Sequence, residues 1–247
     1  MKIRSRIAAV GVSTPLSRYF VGAAHRRRFI SSWTSAALHP VLPGNAKSAI
    51  TARGEATRAR ILAKAGELIV RLGVEATTVD GICQASETSK SQFYQHFSDK
   101  EDLVRSVLDD RAQALLSDQR QQLAEVTTMT GLDTWRDNLV AANRQRGGAF
   151  GCVLGAMVSQ LADRDEHSRI QLAGYFAEWR GLAATTLRRI QTGGQLRRDA
   201  DPDELATGLI AALQGGYVLA QASRDVDHMA SAIEMALARI RFFADHR

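Results

Sequence analysis

The amino-acid sequence predicts an all-α protein, and three observations carry that expectation. Apolar residues recur at helical spacing almost continuously beyond Glu55. No run of alternating polar and apolar residues is bounded by turn residues, as a strand would be, and only 4 prolines occur in 247 residues. A chain of this length has ample material for a core, as one larger domain or two small ones.

The first helix is expected over residues 57–72, with Ile61, Leu62, Ala65, Leu68, Ile69 and Leu72 on one face and Gly73 as its C-terminal stop. Thr77 and Thr78 can cap a second, short helix in which Val79, Ile82 and Cys83 share an apolar face. Ser86, Glu87 and Thr88 break the pattern. Ser89 then opens the pattern S-x-x-Q, in which its hydroxyl caps a helical amide and Gln92 reaches back, so a third helix starts there. Within it Phe93 and Phe97 lie four apart and face inward, which leaves Lys90, Ser91, Gln92, Tyr94, Gln95 and His96 around the exposed sides. Ser98 and Glu101 form a further S-x-x-E start. Lys100 falls in that helix's first turn, where a cation opposes the helix dipole and calls for an outside anion.

Helix, tight turn, short helix and capped helix between Thr77 and Leu103 form the layout of a DNA-reading helix-turn-helix. The stretch KSQFYQHFSDK at residues 90–100 resembles the K-x-x-L-Y-x-Y/H-F-x-x-K signature of the TetR family of bacterial transcriptional regulators, and the resemblance extends over about Glu55 to Leu103. Where that family carries Ala-Gly in the turn, this chain has Ser86-Glu87. A left-handed Glu87 would cost about 1 kcal/mol relative to Gly. The expected contacts with double-stranded operator DNA divide into two sets. Thr78, Tyr94 and Lys100 bind phosphate and fix register, while Lys90, Ser91, Gln92, Gln95 and His96 read bases, Gln92 under competing demand from its capping bond. Ser89, at the start of the reading helix, and Arg58, among the basic residues nearest the domain, complete the expected interface.

Charge is unevenly spread. Residues 1–54 hold nine Lys or Arg and no acid, whereas the remainder holds 23 basic and 26 acidic residues. The overall net charge of +6 therefore comes from the leader and is no argument for DNA binding by the body. The leader, residues 1–50, contains Arg26, Arg27 and Arg28, three of the prolines and no clear amphipathic period. Disorder is the expected state. An upstream extension without a role, a basic arm using Lys47, Arg53 and Arg58, and a transit peptide are the alternatives for it. It has no apolar run long enough for a secretory signal or a membrane span.

Two cysteines provide neither a disulfide framework nor metal spacing, and a reducing cytoplasm without metal or cofactor is expected. Cys83 lies on an inward face. Cys152 has two readings: a small buried residue, or a redox or electrophile sensor whose thiolate Arg144 or Arg146 stabilises. The six histidines, at 25, 39, 96, 167, 228 and 246, have no metal-protease spacing, so a helical enzyme is a poorly supported rival. An architectural DNA binder without effector is another.

Residues 104–247 are expected to form a helical ligand-binding and dimerisation domain after a DNA-binding domain at 51–103. A helix runs from Ser98 to about Leu116 or Leu123. Trp135 and Leu139 mark another, Leu154, Met157, Val158 and Leu161 a third, and residues 166–192 a long one stopped by Gly193-Gly194. Asp201-Pro202-Asp203-Glu204 is a concentrated start signal for the next. Leu205, Leu209, Leu213, Gly216 and Ala220 then form one stripe, and Met229, Ile233, Leu237, Ile240 and Phe243 another.

The TetR resemblance implies that these last two helices pair into a four-helix homodimer interface, here through Leu205, Leu209, Leu213, Gly216, Met229, Ile233, Leu237 and Ile240. A purely intramolecular core is the alternative. The stretch GCVLGAMVSQLADRD at residues 151–165 resembles the ligand domain of the LmrA and YxaF-like repressors. That resemblance implies a small-molecule effector pocket, for which Trp135, Phe150, Met157, Gln160, Phe176, Trp179 and Tyr217 are the candidate lining residues. Gln160 stands out as a polar group among apolar neighbours. The function expected is a homodimeric repressor released from its operator by a small ligand.

Overall fold

The structure, a computed structural model, describes residues 52–149 and 151–244. The leader with Lys47, and the expected pocket residue Phe150, lie outside the described residues. Among those described, nine helices follow in order: α1 (Ala52–Leu72), α2 (Val79–Ser86), α3 (Lys90–His96), α4 (Lys100–Ala124), α5 (Met129–Gln145), α6 (Val153–Leu161), α7 (Glu166–Thr192), α8 (Pro202–Ser223) and α9 (Asp227–Phe242). The fold is all-α, and the one β-type pairing among the described residues is a single bridge between Leu196 and Ala244.

Local signals explain most boundaries. The Gly73 amide closes α1 on the Ile69 carbonyl at 2.9 Å with φ +85°, a conformation that favours glycine. Thr78 caps α2 by accepting the Gly81 amide at 3.1 Å, and Asp201 caps α8 by accepting the Asp203 amide at 2.9 Å, with Pro202 in the first turn. Two boundaries differ from expectation. Helix α1 begins at Ala52, earlier than residue 57. Helix α4 is capped by Asp99, not Ser98: the Asp99 carboxylate accepts the Asp102 amide at 2.6 Å, and the Ser98 amide donates to Asp102 instead. Adjacent Ser and Asp both fit a cap, and the charged acceptor forms the stronger bond.

Helices α1–α3 close around Ile61, Ala65, Ile82, Phe93 and Phe97, all buried, and Cys83 is buried with them. Helix α4 leaves this head and packs along α7; α6 and α8 pack on the same α7. At its far end α4 is tied down by Arg189, which donates to the carbonyls of Leu123 (3.0 Å) and Ala124, orphan acceptors of the helix terminus, and of Val126 just beyond it (3.3 Å). Helices α8 and α9 form the most extensive pairing. By length and composition α8 could cross a membrane, but one side of it is packed against α7 and α9.

Candidate functional site

The reading helix is built as its sequence dictates. Ser89 Oγ accepts the Gln92 amide at 3.1 Å and Gln92 Oε1 accepts the Ser89 amide at 2.9 Å, a complete capping box. Phe93 and Phe97 anchor α3 in the head with ring centroids 5.6 Å apart, and Tyr94 packs edge-on to Phe93 at 5.2 Å while staying 56% exposed. Lys90, Ser91, Gln92, Tyr94 and Gln95 are exposed together on α3, with its cap Ser89 exposed beside them, His96 half-buried at its end and Thr78 exposed at the cap of α2.

The turn between α2 and α3 adopts the left-handed conformation that its missing glycine puts at issue. Glu87 has φ 53° and ψ 46°, and the Thr88 amide returns to the Cys83 carbonyl at 3.0 Å. Two contacts stabilise it. Ser86 Oγ, buried, donates to the Ile82 carbonyl at 2.7 Å, and Arg60 Nε on α1 donates to the Ser86 carbonyl at 2.7 Å.

Three basic candidates are not idle. Lys90 pairs with Asp80 at 2.8 Å across the turn, and the hydrogen bond to that carboxylate raises the ammonium pKa. Lys100 donates to the Glu75 carbonyl at 3.1 Å, and Arg58 lies over the Phe97 ring at 5.2 Å. Arg58 therefore supports the head from within, and Gln92 has its side-chain oxygen committed to the cap. Asp80, paired with Lys90, and Arg60, bonded to the turn, are neighbours of α3 that no sequence pattern marked.

The body distributes the expected pocket residues among α5–α8. Trp135, Met157, Trp179 and Tyr217 are buried, and Phe176 stacks on Trp179 at 6.4 Å. Trp135 donates to Gln119 Oε1 at 3.1 Å. Burial pushes the Tyr217 hydroxyl up to about 12, and burial raises the Cys152 thiol as well. Burial disfavours the Cys152 thiolate and so favours the buried-residue reading over the sensor. Gln160 turns away from the pocket set. Its Oε1 accepts the Val74 amide at 2.7 Å, in the loop between α1 and α2, while its Nε2 donates back to the Ala156 carbonyl. Beside it Arg164 reaches Glu75 at 3.2 Å.

The eight residues expected at a dimer interface are corrected by their burial. Leu205, Leu209, Leu213, Met229, Ile233, Leu237 and Ile240 are between 0% and 7% exposed within a single chain, and Gly216 is buried with them. They form the seam between α8 and α9. A Cβ on Gly216 would stand 2.9 Å from the Met229 Cα, so the small residue serves the close approach of these two helices. Outward faces instead Gly208, Ala212, Gly215, Val218 and Leu219 on α8 and Met235 and Phe242 on α9, with Val218 64% and Met235 74% exposed.

Comparison with known proteins agrees with this architecture. Residues 61–107 match the family model described as bacterial regulatory proteins, tetR family, and residues 129–236 match that of the tetracyclin repressor-like C-terminal domain. The chain is 27% identical over 170 residues to the HTH-type transcriptional repressor DhaR of Mycobacterium sp. (strain GP1), covering 68% of this chain and 84% of that one. It is 26% identical over 163 residues to the transcriptional regulator AcuR of Cereibacter sphaeroides, covering 65% and 74%. Its fold is similar to the crystal structure of regulatory protein TetR from Rhodobacter sphaeroides, with TM-score 0.66 at 20% identity over 74% of this chain and 97% of that one. The relatives are regulators and not enzymes, and the protein belongs to the TetR family of transcriptional regulators.

Proposed function

We propose that this protein is a homodimeric repressor that leaves its operator when a small molecule binds in the helical body. The capped α3, with Lys90, Ser91, Tyr94 and Gln95 exposed on one short helix, carries the DNA-binding part of the reading. Lys90, Ser91 and Gln95 read base edges; Tyr94 and Thr78 bind phosphate, with Lys100 following once it leaves the Glu75 carbonyl. Seven residues of helix span few bases, so two copies one DNA turn or a multiple of it apart supply the specificity.

The second copy docks on the outward face of α8 and α9. A groove of about 600 Å³ runs there between Gly208, Ala212, Ala232, Met235 and Ala236. Exposed apolar residues concentrated on two adjacent helices mark an interaction surface. Release follows if the effector favours a head separation that does not match the half-sites, and the Gln160 bridge from α6 to Val74 supports such coupling.

The test is binding of the purified full chain to DNA flanking its own gene and to a scrambled control across a salt series. Palindrome-dependent binding by a species of dimeric mass is expected. Equal binding to both DNAs would replace this reading by that of an architectural DNA binder.

A further inference from the structure

We propose that the junction of α5, α6 and α8 is the recognition end of the effector site and that the effector carries a carboxylate; this rests on the effector-released reading above. The end of α5 places Asn143 and Arg146 there, the start of α6 places Cys152, and the middle of α8 places Gln214 and Tyr217. The backbone turns tightly at the end of α5 and runs close against α8. The Asn143 carbonyl accepts the amides of Arg146 at 3.0 Å and Gly148 at 3.2 Å, and a Cβ on Gly148 would lie 2.9 Å from the Ala220 carbonyl of α8. Gly151, with φ +53°, brings the chain as close to Gln221 of the same helix.

The side chains at this junction do not satisfy one another. Asn143 is 0% exposed and neither of its amide atoms has a hydrogen-bond partner, and the buried Arg146 Nε and Gln214 Nε2 have none either. Arg146 and Gln214 converge on Cys152, one turn of chain from Asn143. Gln214 lies beside the Cys152 thiol and sits so near Gly155 that a Cβ there would be 2.7 Å from its Oε1, while the Arg146 guanidinium acts on both Cys152 and the Tyr217 hydroxyl. Buried polar atoms left unpartnered cost about 1–3 kcal/mol each, so four at one junction point to a missing partner.

The unmet groups define that partner. Three nitrogens, Asn143 Nδ2, Arg146 Nε and Gln214 Nε2, stand against one oxygen, Asn143 Oδ1, so the ligand must accept hydrogen bonds. Arg146 carries a charge that no ion pair offsets among the described residues. The carboxylate that acts on Tyr217, Asp118, is already held by the side-chain amides of Gln119 at 3.2 Å and Gln122 at 2.8 Å. The first turn of α6 is capped by Cys152 without a side-chain hydrogen bond, so its positive dipole end adds to the same field. A guanidinium with amide donors beside it matches a carboxylate, and a cationic ligand would be repelled.

The experiment is thermal unfolding of the full chain, together with its operator binding, in the presence of sodium propionate, hexanoate or benzoate. Propionamide, hexanamide and benzamide are the uncharged counterparts, and sodium chloride is the ionic control. At least one carboxylate should raise the midpoint by several degrees and weaken operator binding tenfold or more where its amide does neither. The Arg146→Met and Gln214→Leu variants, each checked for native helicity, should lose that preference. The proposal is overturned if every carboxylate behaves as its amide, or if both folded variants keep the preference. Absence of operator preference without ligand would sink the regulator reading separately. Arg146-dependent binding that leaves operator affinity unchanged would uphold the carboxylate site and refute release.

Discussion

Gln160 Oε1 accepts the Val74 amide at 2.7 Å, so a side chain on α6 holds the backbone that leads into the helix-turn-helix. Replacing Gln160 with Leu removes the acceptor and should cost about 1–3 kcal/mol at this half-buried bond. Hydrogen exchange at Val74 should accelerate in Gln160→Leu and stay slow in Gln160→Glu, which keeps an oxygen there. Effector response should shrink in the first variant and persist in the second, as read by operator affinity with and without ligand.

Removing the capping hydroxyl tests how far the reading helix depends on its own ends. Ser89→Ala leaves the Gln92 amide without its acceptor and should destabilise the fold by about 1 kcal/mol. Denaturation midpoints measure this. A larger loss in operator affinity than in stability would show that the cap sets the position of α3, whereas equal losses would confine it to stability.

Lys90→Ala separates base reading from phosphate binding. Operator affinity should fall roughly tenfold to a hundredfold and tolerance of substitutions in the half-site should rise, since a base contact supplies discrimination. Uniform weakening on all sequences with a shallower salt slope would place Lys90 on phosphate. Asp80→Asn frees Lys90 from its 2.8 Å partner and should raise affinity for random DNA.

Glu87→Gly should stabilise the protein by about 1 kcal/mol, because φ 53° strains any side chain with a Cβ. The same change removes a negative charge beside the reading helix. Both effects are read together, the first as an upward shift of the urea midpoint and the second as tighter operator binding at low salt.

The buried acids of the α5–α8 junction give a signed pH dependence. Cys152 and Tyr217 are both raised by burial in the folded state, so the unfolded chain ionises first as pH climbs. Their contribution is complete below the ordinary thiol range near 9 and is lost above it, with Tyr217 adding its loss from 10 to about 12. Denaturation midpoints should fall from pH 9 to 11. Cys152→Ala should delay the onset of that fall.

Met235→Arg should yield a folded monomer, because the Met235 side chain is exposed on the outward groove, whereas Ile233→Asp should unfold the hairpin from its buried seam. Sedimentation and far-UV circular dichroism distinguish the two outcomes.

The head was legible because its signals are local. Ser89 and Gln92 lie three residues apart and cap each other, and the Phe93 and Phe97 spacing names the inward face without knowledge of anything distant. The α8–α9 stripes show where this ends. Periodicity identifies an apolar face but not the surface that covers it, and Leu213 and Ile233 read alike whether they meet within a chain or between copies. Their burial within a single chain and the 2.9 Å approach at Gly216 decide that they meet within it. Gln160 was noticeable as a polar residue in an apolar stretch, but its partner lies 86 residues upstream, beyond any local pattern. The unmet donors of Arg146 and Gln214 are invisible for the same reason, since a missing partner has no sequence signature.

The Arg189 clamp makes the far end of α4 a fulcrum. At 25 residues that helix is an arm of about 37 Å, so a tilt of about 5° at the clamp carries the head end sideways by about 3 Å. In a twofold pair the displacements add to about 6 Å, against a base-pair rise of about 3.4 Å. In the proposed dimer, a change in angle too small to disturb the packing of the body would thus become nearly two steps of misregister on the duplex.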